Sequence, residues 1–241
     1  DWSSDVCSSD LGTDTIASNG ADTSEESLIS AEKEVESEGP LTNEDFLPVS
    51  DLTLSIYKSE FDSPPNSWTP LSGDWNVVDG AYEQTSPDGY DYLSMLGTDP
   101  MTHYAYSGKV RMVEGESGGG FIYSSPNQTS KAGAHMIDFV DGGSYLRWGY
   151  FDESGAYIYV GGSPLEPGLT DGEFHDLQVV THERASTVYF DGVEIAEVEN
   201  RTIGGYMGLV STLSQIQFDD IHLISLPAED EIGRASCRER V

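Results

Sequence analysis

The residues best suited to ligand recognition are concentrated in residues 144–162, which read SYLRWGYFDESGAYIYVGG. An aromatic ring stacks on the apolar face of a pyranose sugar, and a neighbouring Arg, Asp, Asn or His fixes the hydroxyl groups by hydrogen bonds. Side chains alternate along a strand, so Tyr145 and Arg147 share a face, and an unpaired arginine is costly to bury. That face is therefore predicted to be open. The predicted sugar-binding residues, completed from neighbouring strands, are Arg111, Tyr123, His135, Tyr145 and Arg147.

A second interpretation of the same segment is purely structural. Leu146, Trp148 and Tyr150 alternate with the predicted binding residues and should face a core. The remaining aromatic side chains could also fill that core, with the arginines on the surface. The residue types alone leave both interpretations open.

The carboxylates give no catalytic pattern. A retaining glycosidase needs two carboxyl groups about 5 Å apart, which on one strand require alternate positions such as E-x-D-x-x-E. That pattern is absent, and Asp138 is alone on its predicted strand. The pairs Glu114/Glu116 and Glu197/Glu199 are more typical of solvated surface. No catalytic residue is predicted, and enzymatic activity is not favoured.

The five histidines are His103, His135, His175, His182 and His222. They are separated in sequence and contain no short-spaced pair such as H-x-x-x-H, which is typical of a zinc site. The sequence therefore predicts no zinc site.

Short alternating strands must position these residues. In residues 171–226, Phe190 precedes the dipeptide Asp191-Gly192 and Val193 follows it, which predicts a two-residue hairpin that pairs Phe190 with Val193 and Val188 with Ile195. Similar strands, separated by Asp-Gly and Ser-Gly turns, recur from about residue 51 to residue 226. This spacing predicts an all-β, antiparallel, two-sheet sandwich of one domain, residues 49–228.

The sequence resembles the concanavalin A-like lectin and glucanase superfamily, including laminin-G-like jelly rolls. The motifs that carry the resemblance are "VYFDG" and the late "FDD" near the C-terminus, and "FDSPPNSWTPLSGDWNVVDGAYEQ" near the start of the domain. Domains of the 3-keto-disaccharide hydrolase type share this opening and closing pattern. The resemblance implies a jelly-roll sandwich in which Trp68 and Trp75 are core residues and His175 has a structural role.

The resemblance also implies a function. A non-catalytic, lectin-like carbohydrate-binding or surface-adhesion module of a larger exported bacterial protein is favoured, at the cell surface or outside the cell, with a polysaccharide or glycan as partner. The alternatives are a glycoside-processing enzyme and a structural β-sandwich spacer.

A structural calcium ion is a further expectation from the resemblance. The apolar phase shifts across Phe218-Asp219-Asp220-Ile221, which predicts a β-bulge that aims carboxylates away from the ladder. Members of the superfamily often hold calcium between such aspartates and an early acidic residue. The predicted calcium ligands are Asp62, Asp219 and Asp220.

The ends of the chain differ from the domain. Residues 1–11 and 231–241 match translated short-read sequencing adapter and are predicted to be artefacts, with residues 229–241 as a tail. They contain both cysteines, Cys7 and Cys237. Residues 12–48 read as a disordered acidic linker. The formal net charge of −32 disfavours nucleic acid as a partner, and no stretch approaches the ~20 apolar residues that cross a membrane.

Overall fold

The computed structural model describes residues 53–62 and 66–228, and these residues form an antiparallel β structure. Every assigned strand pairing is antiparallel, as the sequence predicts. The only helical element described is a short 3-10 turn at Asp141–Gly143. The strands are β1 Leu54–Ser59, β2 Trp68–Pro70, β3 Trp75–Val78, β4 Ala81–Gln84, β5 Tyr92–Leu96, β6 His103–Ser125, β7 His135–Val140, β8 Tyr145–Phe151, β9 Tyr157–Pro164, β10 His175–His182, β11 Ala185–Phe190, β12 Val193–Glu199 and β13 Tyr206–Ser225.

The strands form two layers that share β6 and β13. In the first layer, the order is β12, β11, β10, the first half of β6 and the second half of β13. On its other side, β13 pairs with β1 and with β4, and β4 pairs in turn with β3. In the second layer, the order is β9, β8, β7, the second half of β6, the first half of β13, β5 and β2. This arrangement confirms the predicted all-β jelly-roll architecture.

The two long strands pass from one layer into the other together. The sequence predicts two strands in place of each, but β6 and β13 stay hydrogen-bonded along most of their length, with register shifts between Thr212 and Ser214 and between Gln215 and Ile216. Gly115 has φ 131° at this bend, and its Cβ position lies 2.4 Å from the Leu213 carbonyl oxygen, so any side chain would clash there.

The main core lies between the layers. The ring centroids of Tyr106 in the first layer and Phe121 in the second layer lie 4.3 Å apart. The Tyr106 hydroxyl donates a hydrogen bond to the Gly208 carbonyl. Trp68 and Trp75 are buried in the same cluster, as the sequence predicts. Large aromatic rings contribute most to this core because each buries a large apolar area.

The predicted hairpin at Asp191-Gly192 is confirmed, with one correction in register. Phe190 pairs with Val193, but Val188 pairs with Ala196 because a bulge follows Val188. Asp191 and Gly192 both have positive φ, as a tight two-residue turn requires.

His175 fixes this hairpin from the neighbouring strand. Its Nδ1 lies 2.7 Å from Asp191 Oδ2, its Nε2 lies 3.0 Å from Asp171 Oδ1, and its ring stacks on Phe190. Burial lowers the pKa of His175, but the two carboxylates raise it by more, so the net pKa is raised.

The predictions for residues 1–11, 12–48 and 229–241 concern parts of the chain outside the described residues. Within the part that is described, no helix is long and apolar enough to cross a membrane.

Candidate functional site

The candidate site lies on the outer face of the second layer, around an ion pair between β7 and β8. Asp138 stands directly opposite Arg147, and Arg147 shares its side of β8 with Tyr145. Leu146 and Trp148 point the other way and pack in or against the main core. The predicted alternation of β8 is therefore confirmed.

Arg147 holds Asp138 by two parallel hydrogen bonds. Nε donates to Oδ1 and an Nη atom donates to Oδ2, each at 2.8 Å. The Asp138 side chain is fully buried, whereas that of Arg147 is 26% exposed. Burial raises the pKa of Asp138 to about 6 even though Arg147 opposes the shift. Desolvation lowers the pKa of Arg147, but Asp138 more than compensates, so that the arginine stays charged.

Tyr157 of β9 covers the arginine. The Arg147 guanidinium carbon lies 4.6 Å from the centroid of the Tyr157 ring, which is a cation–π contact. A Cβ at Gly149 would lie 2.7 Å from the Tyr157 hydroxyl, so this glycine lets the ring lie close to the sheet. The hydroxyl is buried and has no hydrogen-bond partner among the described residues. The guanidinium is thus held between a carboxylate and an aromatic ring.

Two further tyrosines extend this face toward solvent. The ring of Tyr145 lies across Gly162, where a Cβ would come within 2.3 Å of it. The hydroxyls of Tyr145 and Tyr159 lie 3.3 Å apart, and Tyr159 is 57% exposed. An accessible ring beside a fixed arginine matches the chemistry that sugar recognition needs.

A second apolar cluster occupies the other part of this outer face. It is tied to the site by Lys131, which pairs with Asp91 at 2.6 Å and lies 4.8 Å from the centroid of the Phe151 ring. The buried members of the cluster are Leu93, Met95, Ile122, Ala134, Met136, Phe151 and Val210. The exposed tyrosine of the site, Tyr159, lies at the β8–β9 end of the layer, away from this cluster's buried members.

The structure does not bring the five predicted binding residues together, and the prediction of one shared face is corrected. Tyr123 and His135 are cross-strand neighbours on the core-facing side, in line with Tyr150. Burial lowers the pKa of His135 to about 4. Arg111 lies in the first layer, where it donates to Gln217 and stacks on Phe174. Of the predicted set, Tyr145 and Arg147 remain on the open face.

The arrangement offers little for catalysis. Both oxygens of Asp138 are engaged by Arg147, so neither is free to act on a substrate. A Gly-x-Ser-x-Gly spacing occurs at residues 115–119, but these residues lie within β6, whereas a nucleophile elbow needs a turn between a strand and a helix.

The predicted bulge at the C-terminal aspartates is present. The register shifts between Asp219 and His222, and Asp220 has φ 48°. The Asp220 carboxylate pairs with Lys109, and Asp219 accepts a hydrogen bond from the Asp220 N–H. Among the described residues no group of three or more His, Cys, Asp or Glu is arranged to hold a metal ion. Asp220 is thus already paired with the Lys109 ammonium, and calcium binding by Asp62, Asp219 and Asp220 stays a prediction.

Comparison with known proteins shows the fold. No protein family profile and no curated protein sequence matches the chain. The carbohydrate-binding module CBM66 from Bacillus subtilis is similar in structure, with a TM-score of 0.58, 13% identity, and coverage of 66% of this chain and 96% of that one. The chain has the concanavalin A-like jelly-roll fold.

Two further solved structures are similar to the chain. One is a Bacillus subtilis protein of unknown function with a galectin-like fold, at a TM-score of 0.57 and 10% identity, covering 72% of this chain and 97% of that one. The other is a LamA variant from Z. galactanivorans in complex with laminaritriose and laminaritetraose, at a TM-score of 0.53 and 11% identity, covering 71% and 98%. At such low identities the likeness concerns the fold alone.

Proposed function

We propose that this domain is a non-catalytic, lectin-like carbohydrate-binding module that binds a glycan on the outer face of the second layer. The observation that carries the proposal is the fixed Arg147 guanidinium beside the accessible rings of Tyr145 and Tyr159. A sugar ring would stack on the tyrosines, and the arginine would bind its hydroxyl groups. The similar CBM66 module and the similar LamA variant, whose structure holds laminaritriose and laminaritetraose, support this class of ligand.

The geometry suits binding because the Arg147 guanidinium is already held in position before a ligand arrives. The bidentate pair with Asp138 and the contact with Tyr157 restrict the guanidinium, so little conformational entropy is lost when a ligand binds. The glycines at positions 149 and 162 leave the faces of the tyrosine rings close to the sheet. The proposal therefore concerns a preformed, shallow site rather than an enclosed pocket.

A second candidate, glycoside processing, is favoured by one observation. Asp138 lies in the middle of this face, and its pKa is raised to about 6. This carboxyl group can therefore carry a proton near neutral pH. However, Arg147 engages both of its oxygens, and Asp91, the carboxylate whose charge contributes to the raised pKa of Asp138, is itself paired with Lys131. We therefore rank this function second.

A glycan array tests the proposal. The wild-type domain should bind at least one class of glycan, and the Tyr159→Ala variant should lose that binding. Tyr90→Ala is a matched control because Tyr90 is also an exposed tyrosine, at 70% exposure. Release of reducing ends from the bound glycan would favour the enzyme instead. The absence of both binding and turnover would leave a structural spacer.

The cellular setting is also proposed. We infer that the module belongs to a larger exported protein with further domains, at the cell surface or outside the cell, because the sequence resembles secreted domains of this type. Detection of the uninterrupted gene product in the extracellular fraction would test this.

A further inference from the structure

His103 and His182 form a pair on the outer face of the first layer, remote in sequence from each other. They are directly opposite on β6 and β10, and their ring centroids lie 5.8 Å apart with an interplanar angle of 58°. Their neighbours Tyr104 and Thr181 are buried on the core side, so the two imidazoles point outward. The glycan site is on the other layer.

One ring nitrogen of each histidine lacks a partner. Both Nδ1 atoms are buried and form no hydrogen bond to any described residue. A buried polar atom without a partner destabilises a fold, so two of them on neighbouring side chains require an explanation. A bound ion is one ligand that can stabilise unpaired imidazole nitrogens, because a neutral imidazole donates a lone pair to a metal.

The spacing of the rings fits a shared ion. Imidazole nitrogens bind zinc at about 2.0–2.1 Å, and two such ligands in tetrahedral geometry place their ring centroids about 5 Å apart. The observed centroid separation, 5.8 Å, is close to this value.

We propose that His103 and His182 chelate one divalent transition-metal ion of the zinc, nickel or copper class. Imidazole suits these ions, whereas calcium and magnesium prefer oxygen. Two protein ligands leave the other coordination positions to water. On the next strand, β11, the small Ala185 lies opposite His182, and on β12 Glu199 lies opposite Ala185. This carboxylate and the overall charge of −32 raise the local concentration of cations.

Calorimetric titration of the full chain with Zn²⁺ tests the proposal. The titration uses a Cys7→Ser/Cys237→Ser background, because the two thiolates would otherwise bind the same ion. We expect one Zn²⁺ per chain. His103→Asn and His182→Asn should each weaken the affinity by about tenfold or more, because either change leaves a single protein ligand.

His222→Asn is the matched control. His222 is a third histidine of the first layer, and its Nε2 lies 3.0 Å from the hydroxyl of Ser55. This variant should bind Zn²⁺ as the wild type does. Equal weakening in all three variants, unchanged binding in both pair variants, or no binding by the wild type would overturn the proposal.

A spectroscopic measurement on the wild-type chain gives a test that does not depend on whether the variants fold. Ni²⁺ added to the wild-type chain should broaden the imidazole C–H resonances of His103 and His182 before those of the other three histidines. Broadening that begins at another histidine would contradict the assignment.

Discussion

Replacing Arg147 by Met should destabilise the domain strongly at neutral pH. The substitution keeps an unbranched side chain but leaves the fully buried Asp138 carboxylate without its cation. Breaking a buried ion pair by removing one partner typically destabilises by about 3–5 kcal/mol. An unpaired Arg147 on an open face, as the sequence predicts, would give only a small effect.

The effect should depend on pH in a definite direction. Even with Arg147 present, the pKa of Asp138 is raised from 3.8 to about 6, which corresponds to roughly 3 kcal/mol against the ionised form. A carboxyl group with a raised pKa contributes stability that is fully present below its unfolded pKa and is lost as pH rises through its folded pKa. Removing Arg147 raises the folded pKa further, so the destabilisation should be large at pH 7.5 and clearly smaller at pH 5, where Asp138 is mostly neutral in both proteins.

Denaturant unfolding at both pH values measures the difference in free energy of unfolding. Arg184→Met is a matched control, because Arg184 is exposed and should change stability by less than about 0.5 kcal/mol. Asp138→Asn combined with Arg147→Met should recover much of the loss, since no buried charge remains. A penalty for Arg147→Met that is equal at both pH values, or below about 0.5 kcal/mol, would refute the reasoning.

Three further predictions follow from the described contacts. His175→Asn should lower the thermal midpoint at pH 5.5, and should lower it less as pH rises past the raised pKa of His175, because only the protonated ring is stabilised by Asp171 and Asp191. Thermal midpoints across pH 5.5–8.5 measure this, and a loss of stability that is independent of pH would contradict it. Trp148→Ala should destabilise by roughly 3–5 kcal/mol in denaturant unfolding, because its ring packs against the main core; a fully stable variant would place that ring elsewhere. If calcium binds at the β13 bulge, a chelator should lower the thermal midpoint, since a ligand bound only to the native state stabilises by mass action; identical melts with and without chelator would remove the calcium site.

Much of the fold could be predicted because its signals are local. The Asp191-Gly192 turn, the alternation of β8 and the bulge near Asp219 each depend on a few neighbouring residues. The same local reasoning could have identified Asp138. Counting back across the turn at Asp141–Gly143 places Asp138 opposite Arg147, which was the missed signal.

The binding face could not be assembled from the sequence because the long strands change layers. Arg111 and Tyr123 have the same parity on β6, which in a straight strand would place them on one face. The bend near Gly115 instead sends Arg111 to the outside of one layer and Tyr123 to the inside of the other. The His103–His182 pair is non-local in the same way, because it depends on the pairing of β6 with β10.

Tyr145 and Tyr159, beside Arg147, form the proposed glycan platform. The most direct test of this platform is the affinity of a glycan that the wild-type domain binds on the array. Titration of that glycan into Tyr145→Ala and Tyr159→Ala should give a Kd at least about tenfold weaker than for the wild type, which is ~1.4 kcal/mol for each lost ring. Tyr90→Ala should bind as the wild type does. A Kd unchanged in both platform variants, with equal folding stability, would contradict the assignment of the site to this face.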